Sequence, residues 1–121
     1  IKLMQETTIV TNIKTQMRKG ILEYATLLII GQGKKTYSSD ILEALKKADM
    51  LVVEGTLYPL LSRLKTNKLL EYSWQESKGG PPRKYYVLTK EGKQTLQHLT
   101  KAWSSLSSSI QSLHKNHEKN T

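Results

Sequence analysis

Hydrophobic positions in the first half of the chain follow the period of a helix in three stretches. Over residues 13–30 the apolar side chains recur three or four positions apart. A second stretch begins at residues 38–40 (Ser-Ser-Asp), residue types that cap helices, with Glu43 placed to complete a capping box. A third runs roughly over residues 54–67. The short link at about residues 48–53 predicts a helix-turn-helix.

The period changes to two in the next part of the chain. Residues 70–75 (LEYSWQ) alternate apolar and polar, and residues 84–89 (KYYVLT) are β-branched and aromatic. Between them lies a turn-rich, basic link at residues 78–83 (KGGPPR), whose two prolines argue against a strand there. Together these segments predict a β-hairpin with a six-residue tip, the wing of a winged helix-turn-helix.

The last element has a narrow apolar seam. Thr89 is a typical N-cap, and from there the apolar residues recur at spacings of 3, 4, 3, 4 and 3, namely Leu96, Leu99, Trp103, Leu106, Ile110 and Leu113. A seam this narrow on a polar helix predicts pairing with another helix. Leu22 and Leu27 make the first helix apolar on more than one side, which is typical of a helix at a domain centre or a subunit interface.

The order of these elements predicts an α+β fold that is mostly α, a winged helix-turn-helix with a long C-terminal dimerisation helix. We expect residues 1–12, which are polar and rich in threonine, to form a flexible N-terminal arm. The winged helix-turn-helix domain would span residues 13–89 and the dimerisation helix residues 90–115, followed by a polar tail at residues 116–121.

The charge balance points to an anionic partner. Lys and Arg number 19 against 10 Asp and Glu, a formal net charge of +9 on 121 residues. This excess favours nucleic acid first and an acidic membrane second, while a charge that only aids solubility is the alternative. The chain has no cysteine, which excludes disulfides and thiolate metal sites and fits the cytoplasm. We find no signal peptide pattern, and the longest apolar run, residues 25–30, is too short to cross a bilayer.

Residues on the third helix and in the wing are candidates for contact with double-stranded DNA. A helix in the major groove brings short side chains near its N-terminus to the base edges, and an arginine there contacts guanine or phosphate. Glycines in the wing let the backbone approach a phosphate closely. The alternatives are partial burial of Tyr58 against the second helix, an ion pair of Arg63 with Glu43, and an ordinary basic turn. The candidates are Gly55, Thr56, Tyr58, Pro59, Ser62 and Arg63 in the helix, and Lys78, Gly79, Gly80, Arg83 and Lys84 in the wing.

No pattern in the chain indicates catalysis, a cofactor or a metal. The carboxylates are scattered, the serines have no plausible histidine partner, and residues 31–33 (GQG) are too short for a phosphate-binding loop. His114 and His117 are three positions apart, as metal ligands can be, but no further ligand lies nearby. We therefore expect a protein that is not an enzyme.

Several motifs together resemble the PadR family of bacterial transcriptional regulators, in its short-chain branch with one C-terminal helix. The resemblance covers about residues 17–103, and the combined pattern is far more specific than any single piece. The motifs are Arg18-Lys19-Gly20, residues 37–41 (YSSDI), residues 54–61 (EGTLYPLL) with Arg63-Leu64, Gly79-Gly80, residues 83–86 (RKYY), Leu88-Thr89 and Gly92.

The resemblance implies a homodimer that binds operator DNA and usually represses. Two recognition helices would enter successive major grooves, with the wings, Tyr37 and Ser39 on the flanking DNA. The C-terminal helix would pack on the partner's first helix, adding Ile13, Met17 and Ile21 to the predicted dimer interface. The alternative is a winged-helix module that binds protein and not DNA.

Trp103 has two interpretations. In drug-sensing PadR-like regulators, a tryptophan at the corresponding place stacks on flat aromatic compounds at the dimer centre, which would make Trp103 a ligand-binding residue. The alternative is an aromatic side chain packed in the dimer interface. Three positions depart from the family pattern: Ser38 and Lys68 replace common glycines, and Val53 replaces a capping residue. At the turn with Lys68, the neighbouring Asn67 is a residue type able to take the left-handed conformation that the missing glycine would take.

Overall fold

The computed structural model describes residues 2–119, with side chains from residue 7 onward, and confirms a mostly helical winged helix-turn-helix. A small three-stranded sheet accompanies four helices, of which the last is long. In chain order the elements are α1 (Lys2–Ile30), β1 (Thr36–Tyr37), α2 (Ser38–Lys47), α3 (Glu54–Thr66), β2 (Leu70–Gln75), β3 (Arg83–Leu88) and α4 (Lys90–Lys119).

Both terminal helices are longer than the sequence pattern predicted. α1 begins at Lys2, so the predicted start at Ile13 is wrong, and residues 2–12 belong to the helix instead of an arm. This segment contains neither glycine nor proline, and extending a helix already anchored in the core adds one hydrogen bond per residue. α4 likewise continues past residue 115 to Lys119. Residue 1 of the predicted arm and residues 120–121 of the predicted tail lie outside the described residues.

The helix-turn-helix is closed by the same turn at the end of each helix. Asp49 after α2 and Lys68 after α3 adopt left-handed backbone angles, φ 58° and 63°. The N–H of Lys68 donates to the carbonyl of Lys65, and the N–H of Leu69 to that of Leu64, at 2.9 and 3.0 Å. These are the two hydrogen bonds of a Schellman motif. Asn67, although able to take the left-handed conformation, has φ −79°, and Lys68 takes the strained position.

The N-cap of α2 differs from the one that the sequence predicted at residues 38–40. Tyr37 is the N-cap, and its backbone N–H donates to the Asp40 carboxylate at 2.9 Å. The predicted role of Glu43 in a capping box is wrong, since its carboxylate lies 3.4 Å from the Lys47 ammonium, one turn further on. Tyr37 stays extended because it is also the last residue of β1.

The sheet has the strand order β1-β3-β2, all antiparallel. The predicted hairpin is confirmed, with Leu70 opposite Leu88 and Gln75 opposite Arg83. The predicted six-residue tip at residues 78–83 is wrong: the tip is residues 76–82, because Arg83 pairs with Gln75 and begins β3. β1 pairs Thr36 with Tyr86. Two residues are too few for an alternating pattern, which is why the sequence did not predict this strand.

One hydrophobic core joins the first three helices to the sheet. Its buried residues come from α1, α2, α3, β2 and β3, and this shared packing fixes α3 relative to the wing. They are Leu22, Leu27, Ile30, Ile41, Leu45, Leu57, Leu60, Leu61, Leu64, Leu70 and Tyr86. Thr26 is buried among them, and its hydroxyl has no hydrogen-bond partner among the described residues.

The start of α4 is fastened to the turn after α3. The predicted N-cap Thr89 is confirmed: its hydroxyl accepts from the Gly92 N–H at 2.9 Å and donates to the Lys68 carbonyl at 2.6 Å. Gly92 packs directly on Leu69, where an added Cβ would overlap the carbonyl oxygen and lie 3.0 Å from the carbonyl carbon. The long helix therefore leaves the domain at a direction set by this contact.

Candidate nucleic-acid interface

A cleft of 430 Å³ lies between the N-terminus of α2, the middle of α3 and the wing. We call it the α2–wing cleft. It gathers five residues predicted for DNA contact, together with three others, and is lined by Tyr37, Ser38, Ser39, Tyr58, Trp74, Arg83, Lys84 and Tyr86. Hydroxyl, guanidinium and ammonium groups therefore lie close together in the cleft. These are the hydrogen-bond donors that bind phosphate oxygens in protein–DNA complexes.

Tyr58 joins the recognition helix to α2. Its hydroxyl lies 3.2 Å from the Ser38 Oγ, so the contact with the second helix is present as the alternative interpretation had it. The side chain nevertheless remains 45% exposed. Its hydroxyl is therefore held in position at the cleft and is still accessible to a ligand.

Arg83 is held in place by two partners. Its guanidinium carbon lies 3.9 Å from the centroid of the Tyr37 ring, and its Nη2 donates to the Ser39 Oγ at 3.0 Å. Stacking on an aromatic face and a hydrogen bond both restrict the side chain. The structure therefore brings together three predicted DNA-contact residues and orders the arginine before any ligand binds.

Lys84 lies over aromatic rings of the wing. Its ammonium is 4.1 Å from the Tyr72 centroid and 5.3 Å from that of Trp74, its cross-strand neighbour. Trp74 is 62% exposed and was not among the predicted site residues. The signal that could have found it is its position near the end of a strand, opposite a lysine, where the hairpin has left the core.

The floor of the cleft is uncharged. Tyr86 is buried there, and this burial raises the pKa of its hydroxyl, with smaller contributions from the neighbouring Tyr58 and Tyr72. A tyrosine with a raised pKa stays neutral at physiological pH. The floor therefore adds no negative charge that would repel an anion.

Other predicted residues of α3 lie outside the cleft. Gly55, Thr56, Pro59 and Ser62 are all exposed, opposite the buried leucines of the helix. Val53 provides no side-chain hydrogen bond at the N-terminus of α3, as its departure from the family pattern suggested. This end of α3 therefore presents small side chains on a face clear of the core.

Arg63 turns away from the cleft towards α1. Its Nη2 lies 3.1 Å from the Glu23 carboxylate, so the suggested pairing with Glu43 is wrong. Both side chains are about half exposed, at 60% and 48%, and an ion pair of this kind contributes only about 0–1 kcal/mol. A phosphate could therefore replace Glu23 at little cost.

The wing tip carries the remaining predicted residues. Lys78, Gly79 and Gly80 are exposed there. Gly79 has φ +79°, which favours glycine, and the Ser77 hydroxyl closes the tip by donating to the Pro81 carbonyl at 2.9 Å. The tip is thus a defined turn that holds a basic side chain beyond the cleft.

A second surface is apolar and is formed by α1 and α4. Ile13 and Met17 are exposed on α1, and Leu106, Ile110 and Leu113 are 60–65% exposed on α4. The predicted seam of α4 has a buried and an exposed part. Leu96 and Leu99 pack partly on the core of the same chain, whereas the seam residues from Leu106 onward are exposed. Trp103, 44% exposed, borders an apolar groove of 310 Å³ that includes the half-buried Ile21.

Metal sites and membrane spans were sought in the part of the chain that the structure describes. No group of three or more His, Cys, Asp or Glu could hold a metal ion within residues 2–119. Over the same residues, no helix is long and apolar enough to cross a membrane.

Fold and surface together define a winged-helix protein with an exposed α3 and a basic wing. The sequence matches the transcriptional regulator PadR-like family over residues 26–98, and the chain belongs to this family. The family consists of transcriptional regulators and not of enzymes, which confirms the prediction on catalysis. No curated protein matches the sequence.

Solved structures of the family resemble the chain closely. A PadR-like transcription factor from Bacteroides fragilis is 50% identical, with a TM-score of 0.71, over 84% of this chain and 98% of that one. A PadR family regulator from Eggerthella lenta is 29% identical, with a TM-score of 0.81, over 91% and 96%. The PadR of Bacillus subtilis in complex with operator DNA is 23% identical, with a TM-score of 0.60, over 66% and 46%, and shares the fold.

Proposed function

We propose that the chain is a homodimeric repressor that binds operator DNA through α3 and the wing. The observation that carries the proposal is the α2–wing cleft, where the ordered guanidinium of Arg83 and the ammonium of Lys84 meet the hydroxyls of Ser39 and Tyr58. A net charge of +9 supports an anionic partner. The related PadR of Bacillus subtilis has been seen in complex with operator DNA.

Each part of the surface has its own task in this proposal. The exposed small residues at the start of α3 face the base edges of the major groove, where they restrict which bases fit. Lys78, Arg83 and Lys84 bind phosphates on the flanking backbone and fix the register of the protein on the duplex. Arg63 exchanges Glu23 for a phosphate or a guanine.

The dimer is formed by the apolar surface of α1 and α4. The exposed residues of α4 pack on Ile13 and Met17 of the partner's α1, and the two-fold axis repeats the contact. Burying each large apolar side chain contributes about 1.5–3 kcal/mol. The exposed large apolar residues of α4 are Trp103, Leu106, Ile110 and Leu113. Burial of these four side chains on both protomers would offset the association cost of about 4–15 kcal/mol.

A flat aromatic effector that releases the DNA is a second element of the proposal. The groove beside Trp103 has apolar walls and a volume of 310 Å³, which supports such a ligand. The alternative occupant is the partner's α4. Trp103 emission is measured in Trp74→Phe, which retains only this tryptophan. Its quenching by planar aromatic compounds, with loss of DNA binding at the same concentrations, supports the effector; quenching without release contradicts it.

DNA binding is tested by fluorescence anisotropy with duplexes selected from a random library. We expect sub-micromolar affinity for an inverted repeat and repression of a promoter that overlaps it. The double variant Arg63→Ala/Lys84→Ala should weaken binding at least a hundredfold. Lys93→Ala/Lys101→Ala on α4 removes the same charge away from the surface and should change the affinity less than threefold.

Two outcomes contradict parts of the proposal. Unchanged affinity in Arg63→Ala/Lys84→Ala would show that the assigned surface is wrong. If no duplex binds even at low salt, where phosphate contacts are strongest, the alternative of a protein-binding winged helix is favoured.

A further inference from the structure

The α2–wing cleft holds one large apolar side chain that phosphate binding does not use. Trp74 is 62% exposed at the wing side of the cleft and is the more exposed of the two tryptophans, since Trp103 is 44% exposed. Such exposure is unusual for so large an apolar side chain. The other aromatic side chains of the cleft are less exposed: Tyr58 is 45% exposed, Tyr37 is half-buried and Tyr86 is buried.

Trp74 contacts two neighbouring side chains of the wing in spite of this exposure. Its ring meets that of Tyr72 edge to face, with the centroids 6.4 Å apart and an interplanar angle of 89°. Lys84, its partner across the strands, holds an ammonium 5.3 Å from the indole centroid. These contacts orient the indole at low entropic cost and leave most of its surface open to a ligand.

The cleft combines the two kinds of surface that a DNA backbone would contact, polar or cationic groups and an apolar ring. A deoxyribose–phosphate backbone presents anionic phosphates separated by apolar sugar faces. Arg83 and Lys84 offer the positive charge, Ser39 and Tyr58 offer hydroxyls, and Trp74 adds an apolar disc beside them. Because the wing tip begins at residue 76, the indole stands directly before the segment predicted to follow the DNA backbone.

We propose that Trp74 packs on a deoxyribose of the operator backbone, next to the phosphate held by Arg83 and Lys84. This inference rests on the proposed function. It makes Trp74 a DNA-contact residue that acts by apolar burial. Because a sugar is the same at every base pair, the contact contributes to affinity and not to the choice of sequence.

The test compares variants on two duplexes of about 30 base pairs, roughly three helical turns, one carrying the selected inverted repeat and one of random sequence. Trp74→Ala should weaken binding to both by about tenfold, the effect of removing one partly buried large side chain. Trp74→Phe keeps an apolar ring and should recover most of the affinity. Val87→Ala, an exposed apolar residue of β3 outside the cleft, should bind as the wild type does.

Salt dependence separates this contact from an ionic one. Lys84→Ala should reduce the slope of log K against log salt by about 0.9 for every phosphate that the lysine no longer neutralises. Trp74→Ala should leave the slope unchanged, because no counterion is released at a sugar. A structural role of Trp74 in holding Lys84 would instead reduce the slope as Lys84→Ala does, and that result overturns the proposal.

Tryptophan emission gives a reading that does not depend on affinity. Saturating duplex should protect the wild type from acrylamide quenching, and Trp74→Phe, which retains only Trp103, should lose this protection. Protection that persists in Trp74→Phe, or full affinity of Trp74→Ala on both duplexes, refutes the contact while DNA binding stands. If the wild type binds neither duplex, the proposed function itself fails, and this inference fails with it.

Discussion

Replacing Gly92 by alanine should destabilise the fold although alanine is the better helix former. An added Cβ would overlap the Leu69 carbonyl oxygen, and this neighbour is backbone that cannot rotate aside. α4 would have to shift away from the turn after α3, which strains the two hydrogen bonds of Thr89.

The expected change in the free energy of unfolding of Gly92→Ala is the sum of three contributions. Overpacking costs about 1–3 kcal/mol, and weakening the Thr89 hydrogen bonds costs about 1 kcal/mol more. The higher helix propensity of alanine than of glycine stabilises the variant by about 1 kcal/mol. The expected loss is therefore about 2 kcal/mol, which lowers Tm by about 8 °C in a chain of this length.

The assay is urea unfolding followed by circular dichroism, with Gly55→Ala as the matched control. Gly55 also lies in a helix, and nothing lies within 4 Å of the Cβ that alanine would add. Both variants are measured at one chain concentration, because the proposed dimer would make stability depend on concentration. We expect Gly55→Ala to be neutral or up to about 1 kcal/mol more stable. If Gly92→Ala unfolds at the same urea concentration as Gly55→Ala, the contact with Leu69 does not constrain α4.

Three further substitutions have expected outcomes, each measured by urea or thermal unfolding. Lys68→Gly should stabilise the chain by about 1 kcal/mol, because glycine takes the left-handed angle without strain; a loss of stability would contradict the Schellman turn. Thr26→Val should stabilise by about 1 kcal/mol, since it removes a buried hydroxyl without a partner among the described residues; a destabilised variant would reveal a hydrogen bond. Thr89→Ala should cost about 1–2 kcal/mol through loss of the α4 cap, and an unchanged Tm would refute that role.

The sequence predicted the parts of the fold that depend on periodicity. The leucines of α3, the alternating strands of the wing and the seam of α4 each repeat often enough to define an element. It could not predict β1, which has two residues, or the helical state of residues 2–12, whose polar side chains have no period. The extension of α1 depends on the helix that follows it and not on its own pattern.

The sequence predicted which residues form most of the candidate site better than it predicted which of them contact each other. Arg83 and Ser39 are 44 positions apart, and only the pairing of β1 with β3 brings them to 3.0 Å. Glu43 was the partner suggested for Arg63 from the sequence, whereas the tertiary structure brings Glu23 of α1 to 3.1 Å from the guanidinium. Trp74 was missed because strand alternation assigned it to the apolar face, whereas the core ends before it.

The most direct test of the central claim is the salt dependence of binding to the selected duplex. In the proposed dimer each protomer offers Lys78, Arg83 and Lys84 to phosphates. Neutralising about six phosphates should make log K fall against log salt with a slope of about −5. This slope together with sub-micromolar affinity is the predicted result. Binding that is absent, or that does not change with salt, would contradict the assignment of α3 and the wing as a DNA-binding surface.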